Sequence, residues 1–521
     1  MSLKLTVWVA AGLLFFLTGC GVTTVVSRTD SVNASLKVKP TKTSIPESKI
    51  VLVATAILTP TPAPPSPTPV PTMTPGPMPI PTPNSPPFTY HTIGEGETLS
   101  YIAWFYDTEI ENLVAMNKLS GASALIQVGQ TLRVPLQVET TSPAKILLPD
   151  SEVVYGPAFV DFDIAGFISS QGGYLAYYSE YVDGQQLNGT EIIQRVSERF
   201  SVGPRLLLTL LEYYGGWVTN PSPSESQLRW PLGPRNPRGN NLYLALGFTA
   251  NRINAGYYGY KRDGFWVFDL ADYSQAITPQ GINAGTVGVQ NILAIHSDQA
   301  AWGQALSEEG LLATYQAFFG DPFAYAVEPL VPNNLTQPPL TLPWAKGQGF
   351  YLTAGPHAGY IDGSAWAAID FGPPDVLGNC FYSNEPNTAA ASGVVAVARH
   401  GEVLLDLDGD GNIQTGWVLL YLHVALDADT PVQVGQQVAQ GDIIGYASCE
   451  GGLSNSSHLH FARRYNGEWM EAGGPVPIEL SGWTVQPSLV PYEGIMKNGA
   501  QIREACECWE AEKNLIVNAV N

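Results

Sequence analysis

Apolar and polar positions follow a different rhythm in each stretch of the chain. After Lys4, Leu5 to Leu17 is a continuous apolar run, long enough for an export-signal core and shorter than the roughly 20 residues of a membrane-spanning helix. Val22 to Pro87 has no period and is rich in Thr, Ser, Val and Pro, the composition of an extended tether. Periodicity begins at Tyr90. Leu99, Ile102, Ala103, Tyr106, Leu113 and Met116 recur at helical spacing in two short stretches, and Gly129 to Pro135 closes the segment as a strand, which predicts a small β-α-α-β unit. Thr190 to Phe200 and Pro204 to Tyr214 read as amphipathic helices, so the region from about Ile146 to Pro332 is expected to be mainly helical. Toward the carboxyl end, short apolar alternations stand between glycine turns, as in Gln440-Gly441-Asp442-Ile443-Ile444-Gly445. That pattern predicts a compact antiparallel β domain. The expected fold class is therefore multidomain α+β: the β-α-α-β module, a mainly helical middle domain and an antiparallel β domain.

Length agrees with several domains, since 521 residues exceed the usual ~100 to 200 of one core. Against 25 basic side chains stand 46 acidic ones, a formal charge of −21 that argues against a nucleic-acid partner. Fourteen of the 42 prolines fall in the 28 residues from Pro60 to Pro87; in polyproline geometry, at ~3.1 Å per residue, that stretch reaches ~90 Å. The boundaries that follow are 1–19 for the signal, 20–88 for the tether, 89–136 for the small module, 137–339 for the helical region, 340–485 for the β domain and 486–521 for a carboxyl-terminal extension.

Histidine is the informative residue. Of the seven in the chain, His357, His423, His458 and His460 gather near the carboxyl end. Side chains at i and i+2 of a strand share a face, so His458 and His460 can enter one cleft while Leu459 points away. Such a pair, with two further histidines and a spaced aspartate, is poorly explained as core filling.

Several stretches resemble known families. Leu17-Thr18-Gly19-Cys20 resembles the lipobox of bacterial lipoproteins, which implies acylation of Cys20 and a lipid anchor on the outer face of the cell membrane or elsewhere in the envelope. Tyr90 to Pro135, with Gly96-Glu97-Thr98-Leu99-Ser100-Tyr101, looks like a LysM module. That resemblance implies binding of N-acetylglucosamine-containing glycan in a groove between the Gly96 to Leu99 loop and the Ile126 to Gly129 loop, with Gly96, Thr98 and Ile126 as candidate contacts. The order Ile192 to Val196, Gly203 to Leu208 and Glu212 to Trp217 faintly resembles lysozyme-like transglycosylases. Tyr214 stands where that family's glutamate belongs, with Glu212 two positions early, so the general acid of glycoside cleavage is missing or displaced. Tyr257, Tyr258, Tyr260, Phe265 and Trp266 could stack on sugars, although core packing is the commoner use.

Residues 340–485 look like the lysostaphin-type and beta-lytic zinc metallopeptidases that cut peptidoglycan peptides, through His357, Asp370, Tyr421-Leu422-His423 and His458-Leu459-His460. The resemblance implies one Zn2+ held by His357, Asp370 and His460, with His423 and His458 as neighbouring catalytic bases. Asp362 competes with Asp370, being five residues past His357, but reads as a turn in Asp362-Gly363-Ser364, whereas Asp370 has strand-like apolar flanks. The implied protein is a lipid-anchored peptidoglycan endopeptidase, its partners being glycan strands, wall peptides and a membrane. The alternative is a non-catalytic envelope lipoprotein that recruits or activates another wall hydrolase. Asp406-Leu407-Asp408-Gly409-Asp410-Gly411 resembles the start of a calcium loop, yet its twelfth position is Trp417 rather than Glu, leaving a candidate weak Ca2+ site at a hairpin tip. In an oxidising compartment Cys380 and Cys449 are candidates to pair, while Cys506 and Cys508 are expected to be too close for an easy mutual bond.

Overall fold

A computed structural model describes residues 87–426 and 432–519, all within one compact unit, Met73–Asn521. The apolar run at Leu5, Cys20 and the proline-rich tether lie outside the described residues. Among the described residues, no helix is long and apolar enough to cross a membrane.

The small module has the expected order: strand Phe88–Thr92, helices Leu99–Phe105 and Ile110–Asn117, and strand Thr131–Pro135. Its strands pair antiparallel, with Tyr90 opposite Arg133, and Leu99, Ile102, Leu113, Leu132 and Val134 form its own core. The outer face of its sheet is not free. Phe88 packs edge-on against Phe265 at 5.1 Å, joined by Ile277, Met116 and Leu136. The chain leaving the module is pinned as well, because Ile277 N donates to Thr140 O and Ser142 N to Ile277 O, both at 2.8 Å.

The middle region is mainly helical, and local signals set its ends. Helix Gly189–Phe200 opens on a reciprocal cap, with Glu191 N donating to Asn188 Oδ1 and Asn188 N to the Glu191 carboxylate; after Ser201 in the left-handed region, Pro204 starts helix Pro204–Gly215 at its first turn. Helices Leu242–Asp263 and Ala284–Ala294 cross at glycines: a Cβ at Gly256 would lie 2.9 Å from Val287 O, and one at Gly288 2.8 Å from Ile253 O. Tyr257, Tyr258 and Tyr260 are buried in this core, so they serve packing and not an exposed sugar platform.

The carboxyl-terminal part is built on a nine-stranded sheet whose strands run Gln437–Val438, Gly393–Arg399, Glu402–Asp406, Trp417–Leu422, Leu459–Tyr465, Ala368–Gly372, Gly349–His357 and Leu515–Val517, with Glu468–Trp469 pairing beside Leu459–Tyr465. All of these pairings are antiparallel. Beyond the boundary expected at residue 485, Leu515–Val517 pairs with Gly349–Tyr351 at the sheet edge. Residue alternation gives the sheet two cores. Leu459, Phe461, Ile369, Phe371, Leu419 and Tyr421 face one. Ala368, Val418, Leu420, Leu422 and Ala462 face the other, which is continuous with the core of the helical region. The segments drawn at 137–339 and 340–485 thus share one hydrophobic interior.

Charged groups are buried at that junction. Arg464, on the same face as Ala462, donates to the terminal carbonyls Glu198 O at 2.6 Å and Arg199 O at 2.9 Å, supplying partners and positive charge at a helix carboxyl end. Arg199 Nε reaches Glu402 at 3.3 Å and its Nη1 reaches Asp183 at 2.5 Å. A second group gathers Asp150, Glu328, Lys261 and Glu468, with Glu468 buried, the other two carboxylates half-buried and Lys261 exposed; partial burial, then repulsion from Asp150, pushes Glu328 up to about 7. A carboxyl with a raised folded-state pKa supports the fold only while protonated, so its contribution is complete below the unfolded value of ~4.3 and is lost as pH rises toward about 7. Glu328→Gln is expected to flatten this dependence and to gain on the order of 2 kcal/mol at pH 8 relative to pH 5. Urea denaturation at the two pH values measures it, and an unchanged difference would refute the assignment.

Candidate metal centre

The cleft opens at one end of the sheet face that carries Ala462 and Arg464. His460 lies opposite Asp370 in the pairing of Leu459–Tyr465 with Ala368–Gly372, and Ala354, three residues before His357, pairs with Asp370 from the other side. Three neighbouring strands therefore deliver His357, Asp370 and His460 to one point. His357 Nε2 is 3.1 Å from His460 Nδ1, and these nitrogens lie 3.3 and 3.0 Å from Asp370 Oδ1. All three residues are buried, and one ligand atom from each lies within 4.8 Å of the others.

Backbone carbonyls fix which nitrogen of each ring is free. His357 Nδ1 donates to Gly355 O at 2.8 Å, and His460 Nε2 to Gly359 O at 2.9 Å. A carbonyl only accepts, so these nitrogens carry the protons and the other two present lone pairs. Asp370 Oδ1 is buried without a hydrogen-bond donor. Burial opposes its ionisation, but the electrostatic pull of the surrounding imidazoles, His357 first, holds its carboxyl well below the usual range. Two imidazole lone pairs and an ionised oxygen converging with no donor between them call for a cation, and the nitrogen and oxygen donor set suits zinc.

His423 and His458 face the same cleft, their ring centroids 4.6 Å apart. Nδ1 of His423 donates to Glu450 O at 2.7 Å and Nδ1 of His458 to Ser456 O at 2.8 Å, leaving both Nε2 atoms as acceptors. His458 Nε2 lies 3.5 Å from Asp370 Oδ2. Burial, then repulsion from His458 and His460, pushes His423 down to about 3, so its ring is neutral at physiological pH. His423 has φ 62°, and Ile361 and Tyr492 on the cleft wall have φ 57° and 71°. Left-handed backbone at bulky residues is costly and is retained where surrounding structure holds it.

Asp362 is kept out of the cluster: it accepts from Asn251 Nδ2 at 2.8 Å while Gly363 N donates to Asn251 Oδ1 at 2.8 Å. The helical region thereby grips the turn after Gly359, the residue whose carbonyl orients His460. A Cβ at Gly363 would lie 2.1 Å from Asn251 O, which is why glycine stands there. Sequence reasoning missed this clamp and missed Tyr492, whose ring stacks on His357 at 4.6 Å; no spacing or motif singles out either. The cleft has a volume of about 1020 Å3, and Trp509 and Glu507 are among the residues that line it.

Cys380 and Cys449 form a disulfide. Cys506 and Cys508 are also bonded, against the expectation that they are too close, because their Cα atoms reach a 5.2 Å separation within the usual range. Glu212 accepts from Val218 N, Thr219 N and Thr219 Oγ1; it ties down the turn after its own helix and has no role resembling a general acid. Asp406, Asp408 and Asp410 do gather, yet the buried Asp406 carboxylate already accepts from Asp408 N, Gly409 N and Gly411 N. Their mutual closeness adds to burial in pushing Asp408 up to about 6. In the small module, Ile93 links the two loops through Gln130 O and Gly129 N. Gly96 has φ 82°, Thr98 Oγ1 caps helix Leu99–Phe105 by accepting from Tyr101 N, and Ile126 packs on the module core.

Comparison with known proteins follows this layout. Residues 91–135 match the LysM domain, 146–333 the N-terminal domain of LasA, and 381–472 peptidase family M23. The second match replaces the lysozyme-like resemblance of the middle region. The third spans His423, His458 and His460 and begins after His357 and Asp370. Protease LasA of Pseudomonas aeruginosa strain UCBPP-PA14 is 27% identical over 357 residues, covering 63% of this chain and 75% of that protein; Protease LasA of strain PAO1 is 26% identical over 356 residues with the same coverage. Among solved structures, the M23 metalloprotease pseudoalterin from the deep sea is 19% identical, with a TM-score of 0.26, and covers 33% of this chain and 96% of its own. The catalytic domain of lysostaphin from Staphylococcus simulans is 26% identical, with a TM-score of 0.17, and covers 25% and 89%. The chain is homologous to Protease LasA and carries, in order, a LysM domain, a LasA N-terminal domain and a peptidase family M23 domain.

Proposed function

We propose that this protein is an envelope-anchored zinc endopeptidase that hydrolyses peptide bonds of peptidoglycan and is brought to the wall by its LysM domain. The observation that carries the reading is the convergence of His357 Nε2, His460 Nδ1 and Asp370 Oδ1 in an open cleft with no donor between them. These three residues would hold the ion, and the M23 family is zinc-dependent. Bound there, zinc supplies Lewis acidity that activates water at neutral pH and polarises the scissile carbonyl. The two ligand imidazoles are oriented in advance by the Gly355 and Gly359 carbonyls. One of His423 Nε2 and His458 Nε2, both free to accept, takes the proton of the attacking water and returns it to the departing amine nitrogen, while the other, carrying a proton drawn from solvent, donates to the oxyanion. Incubating the purified chain with peptidoglycan, with and without a zinc chelator, and identifying products by mass spectrometry tests this. Release of peptide fragments should require the metal, and glycan fragments without peptide cleavage would overturn it.

The anchor rests on Leu17-Thr18-Gly19-Cys20. With Cys20→Ser, the protein is expected to lose its partition into detergent or to keep its signal uncleaved. Normal processing with unchanged fractionation would exclude lipidation.

A further inference from the structure

A second cavity, of about 530 Å3, lies where the LysM sheet, the end of helix Leu242–Asp263 and the M23 domain meet, lined by Tyr90, Arg133, Arg262, Asp263, Trp366 and Glu471 among others. Its size falls within the range of small-molecule sites, and its chemistry is mixed. The rings of Tyr90 and Trp366 border it; Tyr90 is 41% exposed, and Arg262 lies over Trp366 at 5.0 Å. Arg262 is paired with Asp263 at 2.7 Å. Arg133 leans on Phe88 at 4.4 Å and its buried Nε has no hydrogen-bond partner. Glu471 feels Arg262 without forming an ion pair with it, and burial pushes its carboxyl up.

Two cationic and two anionic side chains balance in this cavity. An ionic ligand of either sign would meet a like charge. A neutral ligand with many hydroxyl and amide groups could instead accept from Arg133 and donate to Glu471 while laying an apolar ring face on Tyr90 or Trp366. We infer that this junction is a saccharide-binding site, distinct from the LysM loops, that takes a neutral N-acetylated oligosaccharide. Pro356 also lines it, one residue from His357, so bound sugar would lie beside the strand that delivers a metal ligand. The inference rests on the peptidoglycan reading for its choice of sugar.

The test titrates the full-length chain in detergent with the N-acetylglucosamine tetramer by calorimetry, in the wild type, Glu471→Gln and Trp366→Ala. The wild type should show two classes of site, and each variant should weaken or lose one, with affinity falling on the order of tenfold where Glu471→Gln replaces a charge-assisted acceptor by a neutral one. A single class that either variant abolishes would support the junction and remove the LysM loops as the binding site. Isotherms identical in all three proteins, or no heat in the wild type, would overturn the site. Zinc content and peptide release, measured on the same samples, report separately on the endopeptidase reading. Glu471→Gln preserves shape and keeps the test valid should Trp366→Ala fold poorly.

Discussion

Replacing His460 by alanine is expected to empty the metal centre and abolish peptide hydrolysis together. It removes Nδ1, which with His357 Nε2 and Asp370 Oδ1 forms the convergent donor set, and two protein ligands hold zinc poorly. Asp370→Ala should do the same. His458→Ala should differ: its Nε2 lies 3.5 Å from Asp370 Oδ2, outside the converging trio. Zinc should largely remain while the rate falls ~10² to 10⁴-fold, as for a positioned proton-transfer group. Asp362→Ala, at a residue tied to Asn251, should keep most of both. Metal analysis beside a hydrolysis assay separates the cases. Loss of zinc in Asp362→Ala with retention in Asp370→Ala would overturn the ligand assignment, and no effect from any of the four would overturn the enzyme.

Glu402→Ala is expected to cost about 3–5 kcal/mol of stability. Glu402 is 1% exposed and stands between Arg199 at 3.3 Å and Arg399 at 3.6 Å. Without it, Arg199 keeps only Asp183 and Arg399 only Glu198, and these guanidinium groups and the nearby Arg464 lose the carboxylate buried among them, so their mutual repulsion is uncompensated at the least exposed point of the network. Glu402→Leu combined with Arg199→Met should recover much of the loss, since apolar groups of similar volume suit that environment. Denaturant unfolding of the three proteins measures this; a single substitution costing under ~1 kcal/mol would show that the network is solvated.

What the sequence revealed of this site was local. The i, i+2 spacing of His458 and His460 placed both on one face with Leu459 on the other, and Leu459 does enter the opposite core. The apolar flanks of Asp370 marked a strand, and the LysM helices were legible from Leu99, Ile102 and Leu113. Long-range facts were not legible. The proton on His460 is assigned by Gly359, 101 residues away, and no local pattern encodes a carbonyl's direction. Leu515–Val517 is three residues long, too short for alternation to announce a sheet edge. The helical region looked self-contained because a helix face buried against a foreign sheet carries the same periodicity as one buried against another helix. The Cys506–Cys508 pairing stays open in the sequence because residue spacing alone does not give the Cα separation.

The packing of Phe88 on Phe265, with the pinned segment at Thr140 and Ser142, changes how wall binding helps hydrolysis. A binding module swinging on a loose tether raises the local concentration of every bond within its radius, and the gain declines smoothly as the tether lengthens. A module seated on the body that carries the cleft has no such radius. On the proposed function, the module's loops and the cleft are then two points on one solid, so a glycan strand held at the first would present its peptides to the second at a fixed offset and angle. Selection among chemically identical bonds becomes a question of register along the polymer, and loosening the seat would widen the choice of bonds while weakening the grip on each.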